Sequence, residues 1–233
     1  MKLCDALYGI KAELLGVNDN TEIIGITHDS RKVKPGMLFA ALPGADSGIH
    51  GMTYAEKALA AGAVAVLCDT GDHGDIPVVK VLSSEQAYSL VAANLEGRPA
   101  EKLKLIGVTG TNGKTTSCFI LKSILDGMGH KTGLIGTVKN IVGNKEYPAA
   151  LTTPDCYELF GLYKEMVEAG CEYCVMEVSS QALDQHRVDG VHFEAAIFTN
   201  LTRDHLDFHQ TMEEYTAANY WPMPTYGDLL FGI

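Results

Sequence analysis

Long apolar runs, positive charge and cysteine are all scarce in this sequence of 233 residues. The longest apolar stretch, from Ala58 to Cys68, is much shorter than the ~20 residues with which a helix crosses a membrane. Lysine and arginine total 18 against 29 acidic residues, which gives a formal net charge of −11. Such an acidic chain is poorly suited to coating nucleic acid or an anionic membrane, because phosphate neutralisation supplies most of that affinity. We therefore expect neither partner, while one small anion in an amide-lined pocket stays compatible with this charge.

The six cysteines are too few and too irregularly spaced for a disulfide scaffold. Cys171 and Cys174 form a CxxC pair with no second pair, at the start of an apolar segment typical of a buried strand. A free cysteine there behaves as a small hydrophobic residue, and a metal or redox role is the alternative. The first residues, Met1 to Asp5, reach charge too early for a signal peptide. We expect a cytoplasmic protein.

Short apolar segments bounded by glycine, proline or polar residues recur along the chain and alternate with segments of helical periodicity. The predicted strands are 22–27, 37–42, 63–68, 77–82, 103–109, 131–137, 173–178 and 193–199, and the predicted helices are 54–61, 84–95, 114–128 and 154–169. This alternation is typical of α/β folds. The near-continuous apolar runs 173–178 and 193–199 indicate strands buried on both faces of a parallel sheet.

A break in this pattern at 96–102 indicates a linker between two domains. We predict a small α/β domain at 1–102 and a doubly wound, mostly parallel sheet domain at 103–233. In such sheets, ligands bind at the carboxyl ends of the strands. Polar clusters follow each strand of the second domain, and we expect these clusters to meet at one edge: 109–116, Thr137 with Asn140, 177–180 and 200–205.

A glycine-rich segment, Gly107 to Thr116, follows a predicted strand and opens a predicted helix, which is the context of a phosphate-binding P-loop. Glycines let backbone N–H groups approach an anion at a helix N-terminus. Lys114 would supply a positive charge to phosphates and Thr115 a hydroxyl ligand for Mg²⁺. The spacing is a variant one, because Val108 occupies a position where the common P-loop pattern has glycine. A glycine-rich turn with a surface lysine is the alternative.

Several motifs resemble those of the Mur ligases, the ATP-dependent amide-forming enzymes of peptidoglycan synthesis. The segment 109–116 resembles their ATP loop, and 28–40 resembles their N-terminal uridine-nucleotide domain. The segments 152–155, 176–188 and 200–209 resemble the members that add the third amino acid, meso-diaminopimelate or L-lysine, to UDP-N-acetylmuramoyl-L-alanyl-D-glutamate. The resemblance covers about 27–218.

The resemblance implies a monomeric, ATP- and Mg²⁺-dependent ligase whose substrates are this UDP-N-acetylmuramoyl-dipeptide and an amino acid. ATP would convert the substrate carboxylate to an acyl phosphate, from which the incoming amine displaces phosphate. The implied catalytic residues are Lys114, Glu177 and His205, and the implied metal-site residues are Thr115, Glu177 and His205. The implied ATP-binding residues are Gly110, Thr111, Asn112, Gly113, Lys114, Thr115 and Thr116. The implied substrate-binding residues are Ser30, Thr152, Thr153, Ser179, Gln185 and Arg187.

The sequence departs from the family pattern at two places. Leu151 stands where the family has an asparagine before Thr152-Thr153-Pro154. Asn219 stands where the family has a lysine that becomes carbamylated, and an amide nitrogen cannot form that carbamate. The segment 219–233 matches nothing in the family, and its two prolines would stop a helix. We therefore expect a truncated ligase with an out-of-frame tail at 219–233, no C-terminal amino-acid-selecting domain, and no ligase activity.

Three other functions remain open from the sequence. A folylpolyglutamate synthase-like ligase is disfavoured because its ATP loop lies near the N-terminus. A nucleotide-binding module without catalysis is compatible with the loss of the lysine. A P-loop phosphotransferase is disfavoured by the variant glycine spacing. Single residues also have ordinary structural alternatives, such as a surface ion pair of Arg187 with Asp184 or Asp189. His205 and His209 could be solvated loop residues, and for His209 we prefer that interpretation.

Overall fold

The computed structural model describes residues 1–44, 48–71, 73–203, 206–209, 211–219 and 230–232. These residues form two compact units, Met1–Gly97 and Arg98–Ile233. The division falls a few residues before the sequence-based boundary at 102. In the part of the chain that the structure describes, no helix has the length and apolar character needed to cross a membrane.

The first unit contains a five-stranded sheet in the order β1-β5-β4-β3-β2. Its elements are α1 (Leu3–Ala6), β1 (Glu13–Leu15), β2 (Gly25–Thr27), β3 (Met37–Ala40), α2 (Ala55–Ala60), β4 (Ala65–Cys68), β5 (Val78–Lys80) and α3 (Ser84–Leu95). Strands β2 to β5 are parallel, and β1 pairs antiparallel with β5. The Ser83 hydroxyl accepts a hydrogen bond from the Gln86 N–H and so caps α3, as its position before the helix predicts.

Buried aliphatic side chains hold the first unit together. Phe39, Val66 and Cys68 pack against Ala55 and Ala58 of α2, all nearly inaccessible to solvent. Helix α3 packs against β2 and β4. These strands are short and apolar throughout, as expected for parallel strands that are covered by helices.

The second unit contains a seven-stranded sheet in the order β12-β11-β6-β10-β7-β8-β9. Its elements are β6 (Lys104–Thr109), α4 (Lys114–Gly127), β7 (Thr132–Ile135), β8 (Lys139–Val142), β9 (Lys145–Pro148), α5 (Cys156–Glu168), β10 (Tyr173–Glu177), α6 (Ser180–Asp184), β11 (Phe193–Phe198), α7 (Leu206–His209), α8 (Met212–Asn219) and β12 (Leu230–Gly232). The five strands from β12 to β7 are parallel, and β8 and β9 continue the sheet as an antiparallel hairpin.

Helices cover the two faces of this sheet. Val175 of β10 packs in a cluster with Cys118 of α4, while the next residue, Met176, accepts a hydrogen bond at its sulfur from the Tyr163 hydroxyl of α5, at 2.8 Å. Successive strand residues point to opposite faces, so α4 and α5 lie on opposite sides of β10. The predicted α/β class with mostly parallel sheets is therefore confirmed.

Two regions differ from the sequence-based prediction. The segment 96–102, predicted as a linker, contains a 3-10 helix, Pro99–Lys102, which packs against α5 with Pro99 and Ala100 buried. The predicted strand 131–137 ends at Ile135, because the backbone at Gly136 and Thr137 turns toward a buried carboxylate. The β8–β9 hairpin that follows was not predicted.

Candidate nucleotide and metal site

The glycine-rich loop connects β6 to α4 at the carboxyl edge of the second sheet. Gly110 has a φ of +119°, and a Cβ there would lie 2.4 Å from Thr199 Oγ1 and 2.7 Å from the Asn200 carbonyl oxygen. Only glycine fits such a conformation at this distance from a neighbouring backbone. Gly113, with a φ of +87°, forms the N-cap of α4. The loop therefore has the backbone form and helix N-terminus that bind phosphate in P-loops.

The lysine at the end of the loop binds back to the loop's own carbonyl oxygens. Lys114 Nζ donates to the carbonyl oxygens of Gly110, at 2.6 Å, and of Thr111, at 3.1 Å. The ammonium group thus lies over the loop, where a phosphate would enter. Asn112, Gly113 and Thr116 are exposed on the outer side of the same turn.

Residues that follow β11 hold the loop from its other side. The Asn112 N–H donates to Asn200 Oδ1 at 3.1 Å, and the Thr199 hydroxyl donates to the Asn112 carbonyl at 2.7 Å. The Thr111 and Tyr215 hydroxyl oxygens lie 2.8 Å apart in the interior. These contacts tie the loop to a second strand end and to α8, so the loop is braced in its bent form.

Glu177, the last residue of β10, is the acidic centre of the site and only 1% exposed. Its Oε2 accepts a hydrogen bond from the Thr115 hydroxyl at 2.8 Å, and its Oε1 accepts one from the Thr137 N–H at 2.9 Å. A Cβ at Gly136 would lie 2.3 Å from Oε1, so glycine is needed for this close approach. The expected proximity of Thr115 and Glu177 is confirmed.

The groups around the Glu177 carboxylate are mainly oxygen atoms, which are the ligands that Mg²⁺ prefers. In the part of the chain described by the structure, no three histidine, cysteine, aspartate or glutamate side chains form a metal-binding group. A magnesium ion beside Glu177 would therefore complete its coordination with hydroxyl, water and phosphate oxygens, as Mg²⁺ at nucleotide sites commonly does. His205 lies outside the described residues.

A second polar group borders Glu177 on the side of Thr152 and Thr153. The Thr153 hydroxyl lies 3.0 Å from the Glu177 carbonyl oxygen and 3.0 Å from the Ser179 N–H. Ser179 caps α6 by accepting from the Ala182 N–H at 3.2 Å. Thr152 remains at the surface side, with its hydroxyl oxygen 3.0 Å from that of Thr137.

Arg187 and Gln185 belong to the same group. Arg187 Nη1 donates to the Thr153 carbonyl at 3.0 Å, and Arg187 Nε donates to Gln185 Oε1 at 3.0 Å. The guanidinium thus donates to a backbone carbonyl and a side-chain amide oxygen. Asp189 Oδ2 lies 3.0 Å from His186 Nδ1.

Three further residues near the site have structural roles. Burial and the neighbouring Glu177 charge raise the pKa of the Cys118 thiol, which therefore stays protonated and packs below the loop. Cys171 and Cys174 are buried free thiols. His209, for which a solvated position was preferred from the sequence, is 3% exposed, with Nε2 2.8 Å from the Ser180 hydroxyl oxygen. That preference was wrong, because α8 covers this ring.

Ser30 lies in the first unit, in the turn after β2. Its neighbours determine the shape of this turn, since Asp29 Oδ1 accepts from both the backbone N–H and Nε of Arg31, at 2.9 Å each. The Arg31 guanidinium hydrogen bond holds the pKa of the Asp29 carboxyl well below its ordinary value. Leu151, the other departure from the family pattern, is 48% exposed beside Thr152.

Comparisons with known proteins agree with this geometry. A sequence model of the Mur ligase middle domain matches residues 108–220, and a model of the Mur ligase family, catalytic domain, matches residues 22–105. The UDP-N-acetylmuramoyl-L-alanyl-D-glutamate--2,6-diaminopimelate ligase of Clostridium perfringens is 46% identical over 222 residues, which are 94% of this chain and 46% of that protein. The chain belongs to the Mur ligase family.

Solved structures show the same fold. A structure of a UDP-N-acetylmuramoyl-L-alanyl-D-glutamate--2,6-diaminopimelate ligase superposes with a TM-score of 0.79 at 29% identity, covering 94% of this chain and 44% of that one. The MurF ligase of Thermotoga maritima, solved in complex with ADP, superposes with a TM-score of 0.56 at 22% identity over 91% of this chain and 46% of that one, a likeness of fold alone. The chain spans less than half the length of these relatives.

Proposed function

We propose that this chain carries the uridine-nucleotide domain and the ATP-binding domain of a ligase that adds the third amino acid to UDP-N-acetylmuramoyl-L-alanyl-D-glutamate in peptidoglycan synthesis. The observation that carries the proposal is the buried Glu177 carboxylate, 2.8 Å from the P-loop Thr115 hydroxyl. The names of the curated relatives favour meso-diaminopimelate over L-lysine as the added amino acid. We further propose a cytoplasmic location and a monomer.

ATP and Mg²⁺ are the proposed cofactors, and the loop fits them. The backbone N–H groups of Gly110–Thr116 and the Lys114 ammonium would hold the phosphates, while Thr115 and Glu177, with His205, would hold the magnesium ion. ATP supplies the phosphoryl group that turns a carboxylate, a poor electrophile, into an acyl phosphate open to attack by an amine. The protein contributes positioning and neutralises crowded negative charge.

The proposed acceptor site consists of Thr152, Thr153, Ser179, Gln185 and Arg187, with Ser30 as the proposed uridine-nucleotide contact of the first unit. Arg187 lies beside Thr153, and its guanidinium donates to the Thr153 carbonyl and to Gln185. We expect its positive charge to attract an anionic substrate. An acidic dipeptide on a uridine diphosphate is such a substrate. Hydroxyls at Thr152 and Ser179 would orient it beside the Glu177 metal site.

Asn219 favours a second candidate function, a nucleotide-binding module without catalysis. Asparagine ends α8 at the position where the family resemblance implies a carbamylated lysine. Without that lysine we expect binding but no ligation by this chain. The segment 219–233, interpreted from the sequence as an out-of-frame tail, lies outside the described residues at 220–229 and 233, and sequencing of the gene would test that interpretation.

Isothermal titration calorimetry tests the proposal. UDP-N-acetylmuramoyl-L-alanyl-D-glutamate should bind the chain, and a non-hydrolysable ATP analogue should bind in the presence of Mg²⁺. Phosphate release should not depend on added diaminopimelate if Asn219 abolishes ligation. Normal ligase turnover would support the full enzyme function and contradict the binding-module alternative. Absence of binding of both ligands would contradict the whole proposal.

A further inference from the structure

Thr137 connects two parts of the site that the proposed function keeps separate. It follows β7 and lies between Glu177, in the proposed metal site, and Thr152, in the proposed acceptor site. Its backbone N–H donates to Glu177 Oε1 at 2.9 Å, and its hydroxyl oxygen lies 3.1 Å from Glu177 Oε2. The same hydroxyl oxygen lies 3.0 Å from Thr152 Oγ1.

The number of protons on these groups fixes the direction of the hydrogen bonds. A hydroxyl has one proton to donate, and an ionised carboxylate can only accept. The Thr137 hydroxyl is the donor in both contacts, to Glu177 Oε2 and to Thr152 Oγ1, and its single proton can serve only one of them at a time. Glu177 is the stronger acceptor, so the proton is directed to the carboxylate while no cation is bound there.

This shared proton determines how Thr152 is held. When the Thr137 hydroxyl donates to Thr152 Oγ1, it orients the Thr152 hydroxyl. A cation bound at Glu177 weakens the carboxylate as an acceptor, because carboxylate oxygens that ligate a metal have less electron density to share. The hydrogen bond of Thr137 to Glu177 then weakens, and the Thr137 proton becomes easier to redirect to Thr152 Oγ1, which orients the Thr152 hydroxyl to donate its own proton to a ligand.

We infer that Thr137 is a positioning residue that orients the Glu177 carboxylate and couples Mg²⁺–nucleotide binding to acceptor binding at Thr152. The inference rests on the proposed function, since it takes its two ligands from there. Coupling of this kind is reciprocal, so each ligand should raise the affinity for the other by the same factor.

Calorimetric titration of the whole chain tests the inference. The dissociation constant for UDP-N-acetylmuramoyl-L-alanyl-D-glutamate is measured with and without Mg²⁺ and a non-hydrolysable ATP analogue. The coupling ratio is the dissociation constant without Mg²⁺ and the ATP analogue divided by the dissociation constant with them. We expect this ratio to be at least about fivefold in the wild type. Thr137→Val, which keeps shape and N–H but removes the hydroxyl, should reduce the ratio to below about twofold, and Thr137→Ser should restore it to near the wild-type ratio.

Thr132→Val is the matched control. Thr132 begins β7, at the end of the strand away from Glu177, and its hydroxyl donates to the His130 carbonyl at 3.0 Å. It is buried, whereas Thr137 is exposed. The coupling ratio of this variant should remain that of the wild type.

Each outcome decides the inference. A coupling ratio in Thr137→Val equal to that of the wild type overturns it, as does a wild type that binds both ligands without coupling, which leaves the proposed function intact. If the wild type binds neither ligand, both the proposed function and this inference are wrong. If Thr137→Val and Thr137→Ala both fail to fold while Thr137→Ser folds, the hydroxyl is structural and the inference is wrong.

Discussion

The two units present the carboxyl ends of their parallel strands in different ways. In the second unit, polar groups from different strand ends bond to one another over large sequence separations, as Thr115 does with Glu177 and Asn112 with Asn200. In the first unit, the contacts around Ser30 are local, with Asp29 bound to Arg31 two residues later. One edge is thus a connected network, whereas the turn after β2 combines the local Asp29–Arg31 hydrogen bonds with a contact between His28 and Tyr88, in which His28 Nδ1 and the Tyr88 hydroxyl oxygen lie 3.5 Å apart.

This difference has an energetic meaning. In a buried network, each polar group satisfies another, so the removal of one group leaves a costly unpaired partner. In an exposed turn, water replaces a lost partner at little cost. Substitutions in the second unit should therefore affect both stability and ligand binding, whereas those around Ser30 should have small effects on stability.

Gly110→Ala should have the largest effect of the substitutions considered. Its Cβ would meet Thr199 and Asn200 at distances that require the backbone to move, in addition to the strain of a positive φ. We expect a loss of about 2–4 kcal/mol in the free energy of unfolding, with loss of nucleotide binding. Urea unfolding followed by circular dichroism measures the first effect and calorimetry the second.

Gly9→Ala in the first unit is the control for this prediction. Gly9 has a φ of +80° but an added Cβ would meet nothing within 4 Å. This variant should lose only about 1–2 kcal/mol from the left-handed conformation, with nucleotide binding unchanged. Equal losses in the two variants would show that the packing of Gly110 against the end of β11 is unimportant.

Glu177→Gln should weaken Mg²⁺-dependent nucleotide binding by about tenfold or more, which corresponds to about 1.4 kcal/mol. The amide keeps the size of the carboxylate but loses its charge and places an N–H₂ group among the Thr115 and Thr137 donors. Titration of a non-hydrolysable ATP analogue with and without Mg²⁺ measures this effect. Glu172→Gln, an exposed position just before the same strand, should bind within about twofold of the wild type.

Arg31→Gln should have the smallest effect, and one that depends on pH. The Asp29 pKa is lower in the folded chain than its unfolded value near 3.9, so this pair contributes stability above about pH 4 and loses it as the pH falls further. The Arg31 side chain is 80% exposed, so solvent screens the ion pair and its contribution to stability is small. Urea unfolding at pH 7 and pH 3 should show a larger difference from wild type at pH 7 than at pH 3.

Local sequence signals predicted the elements that have strong periodicity and clear capping residues. The predicted helices 84–95, 114–128 and 154–169 correspond to α3, α4 and α5, whose N-cap residues are Ser83, Gly113 and Asp155. The β8–β9 hairpin was missed although Gly143 and Asn144 form a typical two-residue turn signal. Its strands are short and partly exposed, so their apolar pattern is weak.

The candidate site was predicted in part. The motifs place Thr115, Glu177 and Thr153 at strand ends, and the edge rule for parallel sheets brings these ends together. The involvement of Thr137 in binding Glu177 had no sequence signal beyond its position after a strand. The bracing of the loop by Thr199 and Tyr215 likewise depends on contacts between distant segments.

Alternation of apolar segments with glycine and capping residues was enough to determine the fold class, the phosphate loop and the family, because these depend on local backbone preferences and on spacing along the chain. Only the tertiary structure decided which hydroxyls meet the buried carboxylate, that His209 is enclosed, and that the segment before β6 packs as a 3-10 helix. These features depend on distances between residues that are far apart in sequence. Hydrophobic packing of the whole unit determines those distances.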